Sequence, residues 1–338
     1  MKRPPTLLLS QHEIARLLDI RMVIRVVRHA FIAIARGEAV MPSKLYLPLP
    51  GGSDFRAMPA FVKRPPACGI KWVNVHPHNR RRGLPSVMAL IIMNDPLTGV
   101  PLAIMDGRVM TTLRTAAAAA VAAQVLARPE SKAVGLVGCG AQAEAQIQAL
   151  SALFRLVHVK VWGYRTHEAQ RFCQRMRVRY PRIRFEPCAT VERCVREADL
   201  VVTVTPSRRP LVQRTWLGPG THVNAIGADA PGKQELDPRI LQEALVVVDE
   251  REQAIHGGEL NVPIRRKQFH PRDIHASLGE ILVGCTWGRR SPNELTVFDS
   301  TGLAVHDVAL GAAVLRLARR RGIGRSLASF LPLPNRLV

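Results

Sequence analysis

Residues 133–146, AVGLVGCGAQAEAQ, leave the backbone few choices. A short apolar run, AVGLV, leads into Gly138-x-Gly140-x-x-Ala143, and an Ala- and Gln-rich run follows. The order is buried strand, tight glycine turn, helix, which is the fingerprint of a dinucleotide site. Gly138 permits the turn, Gly140 lets a pyrophosphate approach the main chain, and Ala143 allows close helix–strand packing. The turn residues Gly138, Gly140, Ala141 and Gln142 are the cofactor-binding candidates, because the helix N-terminus offers N–H groups and partial positive charge to phosphates. A tight turn without ligand uses the same glycines; the flanking strand and helix favour the nucleotide.

The chain then alternates. Strand HVKVWGY and helix HEAQRFCQRMRVRY lead to strand RFEPCAT and helix VERCVREA. Strands DLVVTVTP, THVNAIGAD, ALVVVDE and LTVFDSTG follow. Short apolar strands interleaved with helices imply a parallel sheet covered on both faces. Ligands bind at the carboxyl ends of such strands. That singles out Thr205, Pro206 and Ser207, then Gly227 and Asp229, then Asp299, Ser300 and Thr301, with Gly227 letting the backbone come close to a ring. The second strand ends in Gly163, Tyr164, Arg165 and Thr166. It offers no acid for ribose hydroxyls, whereas Arg165 and Thr166 suit a 2′-phosphate. NADP is therefore favoured over NAD, against the plainer reading of Arg165 as a solvated surface residue.

Residues 1–125 are organised differently. SQHE at Ser10–Glu13 is a capping box opening a helix. KLYLPLPGGSDFRAMPAFV reads as two strands around a Gly-Gly turn, and PSVMALIIMND and PLAIMDG as two more. An Ala-rich helix is expected from Thr111 and a final one after DSTG, returning to the first domain. The expected division is 1–125, 126–305 and 306–338. No run of 18 apolar residues suggests a membrane span, and Leu7–Leu9 is too short for a signal core, so a cytoplasmic protein is expected. Six scattered cysteines without a CxxC pair argue for free thiols rather than zinc or disulfides.

The formal net charge is +22, and 40 of the 48 basic residues are Arg. They are spread along the chain, with small groups at 80–82, 175–184 and 319–321, and aromatics make up only 5%. A nucleic-acid module concentrates charge and interleaves aromatics, so no specific nucleic acid is expected. One cation does need an explanation. GIKWVNVHP places Lys71 among Ile70, Trp72, Val73 and Val75. Either it snorkels from a solvent face, or it is buried and needs an anionic partner or a lowered pKa.

Ten motifs decide between those readings: MPSKLYLPLP, RAMPA, GIKWVNVHP, GLPSVMALI, TTLRTAAAAA, GLVGCGAQA, VTVTPSRRP, HVNAIGADAPGKQELD, VVDEREQAIHGGE and RRSPNELTVFDSTGLAVHD. In this order they resemble the ornithine cyclodeaminase / mu-crystallin family from about Leu8 to the last helix. MPSKLYL, RAMPA and GADAPGKQELD are most similar to its archaeal-type alanine dehydrogenase branch. The resemblance implies an α/β fold: a Rossmann dinucleotide-binding domain plus a split α+β substrate-binding and dimerisation domain, working as a homodimer. It implies that Lys71 is the active-site lysine and that Asp229 acts on the substrate amine. Lys44, Arg56 and Arg114 would meet the substrate carboxylate, Arg114 alternatively a cofactor phosphate, with Thr115 beside it on the cofactor.

Arg56 stands where ornithine-using members carry an acid. Two cations at ~4 Å repel by a few kcal/mol in a partly shielded site, which disfavours a cationic substrate. The implied activity is amino-acid dehydrogenation with NADP or NAD, alanine and pyruvate being the expected pair. The alternatives are ornithine cyclisation to proline with loss of ammonia, reduction of a cyclic ketimine such as pyrroline-2-carboxylate, and a non-catalytic NADP-binding role. His76 and His78 are read as structural or peripheral, His256 and Glu259 as loop residues with a place near the active site as the alternative, and His270 and His275 as surface and cap residues; no metal is expected.

Overall fold

The computed structural model describes residues 5–327; the expected C-terminal tail at 328–338 lies outside them. The chain divides into two compact units. One runs to Arg114 and resumes at Leu303; the other is Thr115–Gly302.

The first unit is a mixed sheet under helices. Its strands are β1 (Thr6–Leu9), β2 (Ala39–Val40), β3 (Leu45–Leu49), β4 (Ser53–Val62), β5 (Ala67–Val75), β6 (Val87–Asn94) and β7 (Pro101–Asp106). The order across the sheet is β1-β7-β6-β5-β4-β2, with β3 on β4 and the strand Arg325–Leu327 on the far side of β1. Only the β1–β7 pairing is parallel. Leu7–Leu9, an isolated apolar run in sequence, is thus a sheet strand.

Helices α1 (Gln11–Leu17) and α2 (Ile20–Ala35) follow β1, and the capping box forms as expected between Ser10 and Glu13. Strand alternation divides the sheet into two faces. Met58, Lys71, Ile91 and Met105 are in register across β4, β5, β6 and β7. They are buried, and the C-terminal helix Ala304–Arg321 packs on β4, β5 and β6. Leu45, Ala57, Trp72 and Leu90 are in register on the opposite face, where Leu45 is 62% and Leu90 49% exposed.

Helix α3 (Arg108–Leu126) carries the division between the units. It begins three residues before Thr111 because the Asp106 carboxylate accepts the N–H of Arg108. By length and composition α3 is apolar enough to cross a bilayer. Its Ala116–Ala123 segment is instead protein interior, every residue at most 1% exposed.

The second unit contains β8 (Ala133–Val137), β9 (His158–Trp162), β10 (Arg184–Cys188), β11 (Leu200–Thr203), β12 (Arg208–Val212), β13 (His222–Ala225), β14 (Gln234–Leu236), β15 (Leu245–Val248), β16 (Ala276–Ser277) and β17 (Thr296–Asp299). Eight form one parallel sheet, in the order β10-β9-β8-β11-β13-β17-β15-β16. The order reverses between β8 and β11, so the glycine turn after β8 lies at a topological switch point. Helices α4 (Ala143–Ser151) and α5 (Thr166–Arg179) follow β8 and β9. The helix expected over VERCVREA is shorter, α6 (Val191–Val195), because Glu197 adopts a left-handed φ of 62°. β12 and β14 form a separate two-stranded parallel sheet that sequence patterning did not reveal.

Candidate active site

Lys71 does not snorkel. It is 1% exposed on the covered face of β5, and its Nζ lies 2.6 Å from Oδ2 of Asp307 in the C-terminal helix. The other oxygen of Asp307 accepts from Nε of Arg114 at 3.2 Å. One carboxylate therefore serves two buried cations. Burial pushes Lys71 down to about 7, and Arg114 adds to the effect, while Asp307 opposes it. Burial raises the carboxyl of Asp307, but Arg114 and Lys71 outweigh it and hold the group below its ordinary value. Lys44, half-buried, is close enough to lower Lys71 further.

Arg56 shares this covered face, two residues along β4 from Met58. Asp54 grips it bidentately, Nε to Oδ1 at 2.8 Å and Nη2 to Oδ2 at 3.0 Å. Tyr46 lies against the guanidinium at 5.1 Å. Arg56 is thus a partly neutralised cation, and it repels a cationic substrate less than its bare charge implies. Beside Arg56, Lys71 and Arg114, sequence reasoning missed Asp307. An acid in the first turn of a helix reads as a partner for the helix dipole, and its partner lies 236 residues away.

The second unit holds the expected nucleotide elements. Gly138 has a φ of 111°, and a Cβ there would meet the Val204 carbonyl oxygen at 2.9 Å. The glycine thus brings the turn against the loop after β11. A Cβ on exposed Gly140 would meet nothing, which leaves the main chain open to a ligand. Exposed Ala141 follows, and Oε1 of Gln142 is buried with no hydrogen-bond partner among the described residues. Open backbone and a helix N-terminus fit a pyrophosphate. After β9, Tyr164, Arg165 and Thr166 are all exposed, Arg165 capping α5 without a side-chain bond, and no acid stands at the strand end.

The loops after the central strands rest on buried acids. Glu235 accepts from Thr203 Oγ1, Thr205 N and Thr205 Oγ1 at 2.7 Å, and from Gly227 N at 2.8 Å. The space a Gly227 side chain would need is taken by the Thr205 carbonyl and this carboxylate, so the close approach there is made by the protein itself. Asp249 accepts from Thr301 N, Thr301 Oγ1, Gly302 N and Ser300 Oγ, at 2.7–3.2 Å. Asp229 pairs with Lys233 at 2.5 Å. Pro206 and Ser207 follow Thr205, Ser207 donating to the Arg209 carbonyl. Thr115 is buried in α3.

Neither Glu235 nor Asp249 was singled out from sequence, although both lie in motifs, GKQELD and VVVDE. Glu259, read as a loop residue, is wholly buried under Glu235. His270 caps the short turn Pro271–Asp273, as expected of a capping residue. The cysteines are free, three of them buried. No group of His, Cys, Asp or Glu among the described residues could hold a metal.

A parallel sheet reversing at a glycine turn in the second unit, and a lysine–aspartate–arginine cluster buried in the first, define a Rossmann-type protein with an added polar site. The sequence matches the ornithine cyclodeaminase / mu-crystallin family over residues 5–320, and the chain belongs to that family. It is 45% identical over 325 residues to alanine dehydrogenase of Archaeoglobus fulgidus, covering 96% of this chain and 99% of that one. It is similar to the solved archaeal alanine dehydrogenase dimer with bound NAD, at a TM-score of 0.91, with 95% of this chain and 98% of that chain covered and 45% identity. It is also similar to Thermococcus litoralis Delta(1)-pyrroline-2-carboxylate reductase in complex with NADH and L-proline, at a TM-score of 0.93 and 31% identity, covering 95% of this chain and all of that chain.

Proposed function

We propose that the protein is a cytoplasmic, homodimeric, NAD(P)-dependent dehydrogenase of a small uncharged amino acid, interconverting L-alanine with pyruvate and ammonia. The observation that carries the reading is the buried Lys71–Asp307–Arg114 cluster, in a chain 45% identical to an alanine dehydrogenase. The first unit is taken as the substrate-binding and dimerisation domain and the second as the nucleotide domain. The turn at Gly138–Gln142, with Thr205, Ser300 and Thr301, holds the dinucleotide, whose nicotinamide supplies hydride acceptance or donation when bound.

Arg114 and Arg56 present guanidinium groups suited to a carboxylate. Lys44 adds positive charge. With its ammonium near neutrality, Lys71 exchanges a proton at Nζ with the nitrogen or carbinolamine oxygen of the substrate. Asp307 orients Nζ and keeps Arg114 in place. Asp229, next to the Lys233 cation, is assigned the second acid–base role. A second reading is reduction of a cyclic ketimine. The likeness to the pyrroline-2-carboxylate reductase supports it, and Arg56 does not repel a substrate whose ring is uncharged.

The test follows oxidation of NADH and of NADPH at 340 nm with purified protein. Turnover that requires pyruvate and ammonium together is expected. Turnover on pyrroline-2-carboxylate with none on pyruvate plus ammonium overturns the alanine reading in favour of the second. Ammonia release from ornithine overturns both.

A further inference from the structure

In the second unit, buried Glu235 ties two neighbouring strands of the central sheet together. Thr203 ends β11, Thr205 lies two residues beyond it, and Gly227 two residues beyond the end of β13. The Glu235 carboxylate takes donors from all three. Its own main chain is pinned in turn: the carboxyl of Glu259 accepts the N–H of Glu235 at 2.9 Å and that of Leu236 at 2.7 Å. Gly227 completes the arrangement, because a Cβ there would come within 2.5 Å of a Glu235 oxygen. Asp229 stands two residues after the bonded Gly227. It is also held by Lys233, two residues before Glu235.

We propose that Glu235 is a positioning residue: its buried carboxylate locks the loops after β11 and β13, and with them Thr205 and Asp229, in the geometry the reaction needs. This rests on the dehydrogenase reading above. The role requires an acceptor-only group. A glutamine offers one oxygen and would turn its amide N–H groups towards the donors of Thr205 or Gly227. An aspartate is one methylene shorter and does not span both strands.

The experiment compares Glu235→Gln and Glu235→Asp with wild type in kcat and in KM for the dinucleotide, per folded active site. Amide hydrogen exchange of Thr205 and Gly227 is measured alongside in the protein without substrate. Displaced loops are expected to lower kcat by about 10- to 100-fold. The KM for dinucleotide should rise by a smaller factor than kcat falls, since Thr205 moves while the phosphate turn is untouched. Exchange at both amides should accelerate. Thr205→Ser, which keeps the hydroxyl, should retain more activity than Thr205→Val.

A folded Glu235→Gln enzyme with wild-type kcat and unchanged exchange overturns the proposal. If that variant does not fold, Thr203→Val, which deletes one of the four bonds, carries the same comparison. A wild-type protein without turnover on any of the substrates defeats the dehydrogenase reading instead. The exchange measurement needs no substrate and still decides whether Glu235 holds the loops.

Discussion

Lys71, Arg114 and Asp307 carry two positive charges and one negative in a space without solvent. Losing a proton from Lys71 leaves one cation and one anion, the cheaper arrangement in a low dielectric. If neutral Lys71 is the base for oxidative deamination, kcat/KM in that direction should rise with pH through about 7. Reductive amination, which needs the ammonium, should fall over the same range. Replacing Asp307 by Asn removes the group that favours the ammonium, so both inflections should move to lower pH, by about one unit or more. An unmoved profile would sink the assignment to Lys71.

The same substitution strands the buried Arg114 guanidinium and should lower stability by about 3–5 kcal/mol in denaturant titration. The linkage sign is the reverse of a stabilising lysine. The folded pKa of about 7 lies below the ordinary 10.5. The unfolded chain then binds more protons between those values, and stability rises with pH across that window. Lys71→Met should remove that rise. Lys71 could be questioned from nine residues of sequence because a cation among strand-forming apolar residues is locally anomalous. Asp307 could not, because nothing local distinguishes it from an ordinary first-turn acid.

Among the elements, those with strong local signals were legible. The strand–turn–helix around Gly138 and the alternation after it are set by short-range hydrophobic patterning, and so the sheet class followed. The ends were less legible because side chains fix them: Asp106 starts α3 early, and Glu197 stops α6 by taking a conformation normally left to glycine. The short strands β12 and β14 are held by pairing and by Glu259 rather than by their own composition.

The end of β9 carries the cofactor prediction. Arg165 is exposed, and no acid is available there to prefer ribose hydroxyls. If Arg165 binds a 2′-phosphate, Arg165→Ala should lower kcat/KM with NADPH by about 10-fold or more, the worth of one charge-assisted bond. With NADH the change should be small. An unchanged NADPH:NADH ratio would show Arg165 to be a solvated surface residue, and the NAD and NADH bound in the solved relatives would then be the better guide.

For the whole molecule the question is what covers the outer face of the first unit's sheet. Leu45, Ala57, Trp72 and Leu90 form an apolar row across four strands, with Phe55 stacked on Trp72 at 5.2 Å between ring centres. Large exposed apolar patches mark association surfaces, and the similar archaeal alanine dehydrogenase is a dimer. Leu90→Asp places a charge on this row without entering the covered face, where Ala89 and Ile91 pack. Wild type should sediment at twice the chain mass. Leu90→Asp should dissociate at concentrations where wild type does not, with unchanged circular dichroism.

Salt separates this association from attraction to polyanions. A chain of net charge +22 repels its own copy, and about 0.15 M salt screens such charges beyond roughly 8 Å. An apolar dimer should therefore tighten as salt rises, whereas binding through phosphate contacts weakens steeply. Dimerisation that weakens with salt, or that survives Leu90→Asp combined with Leu45→Asp, would place the interface elsewhere on the protein.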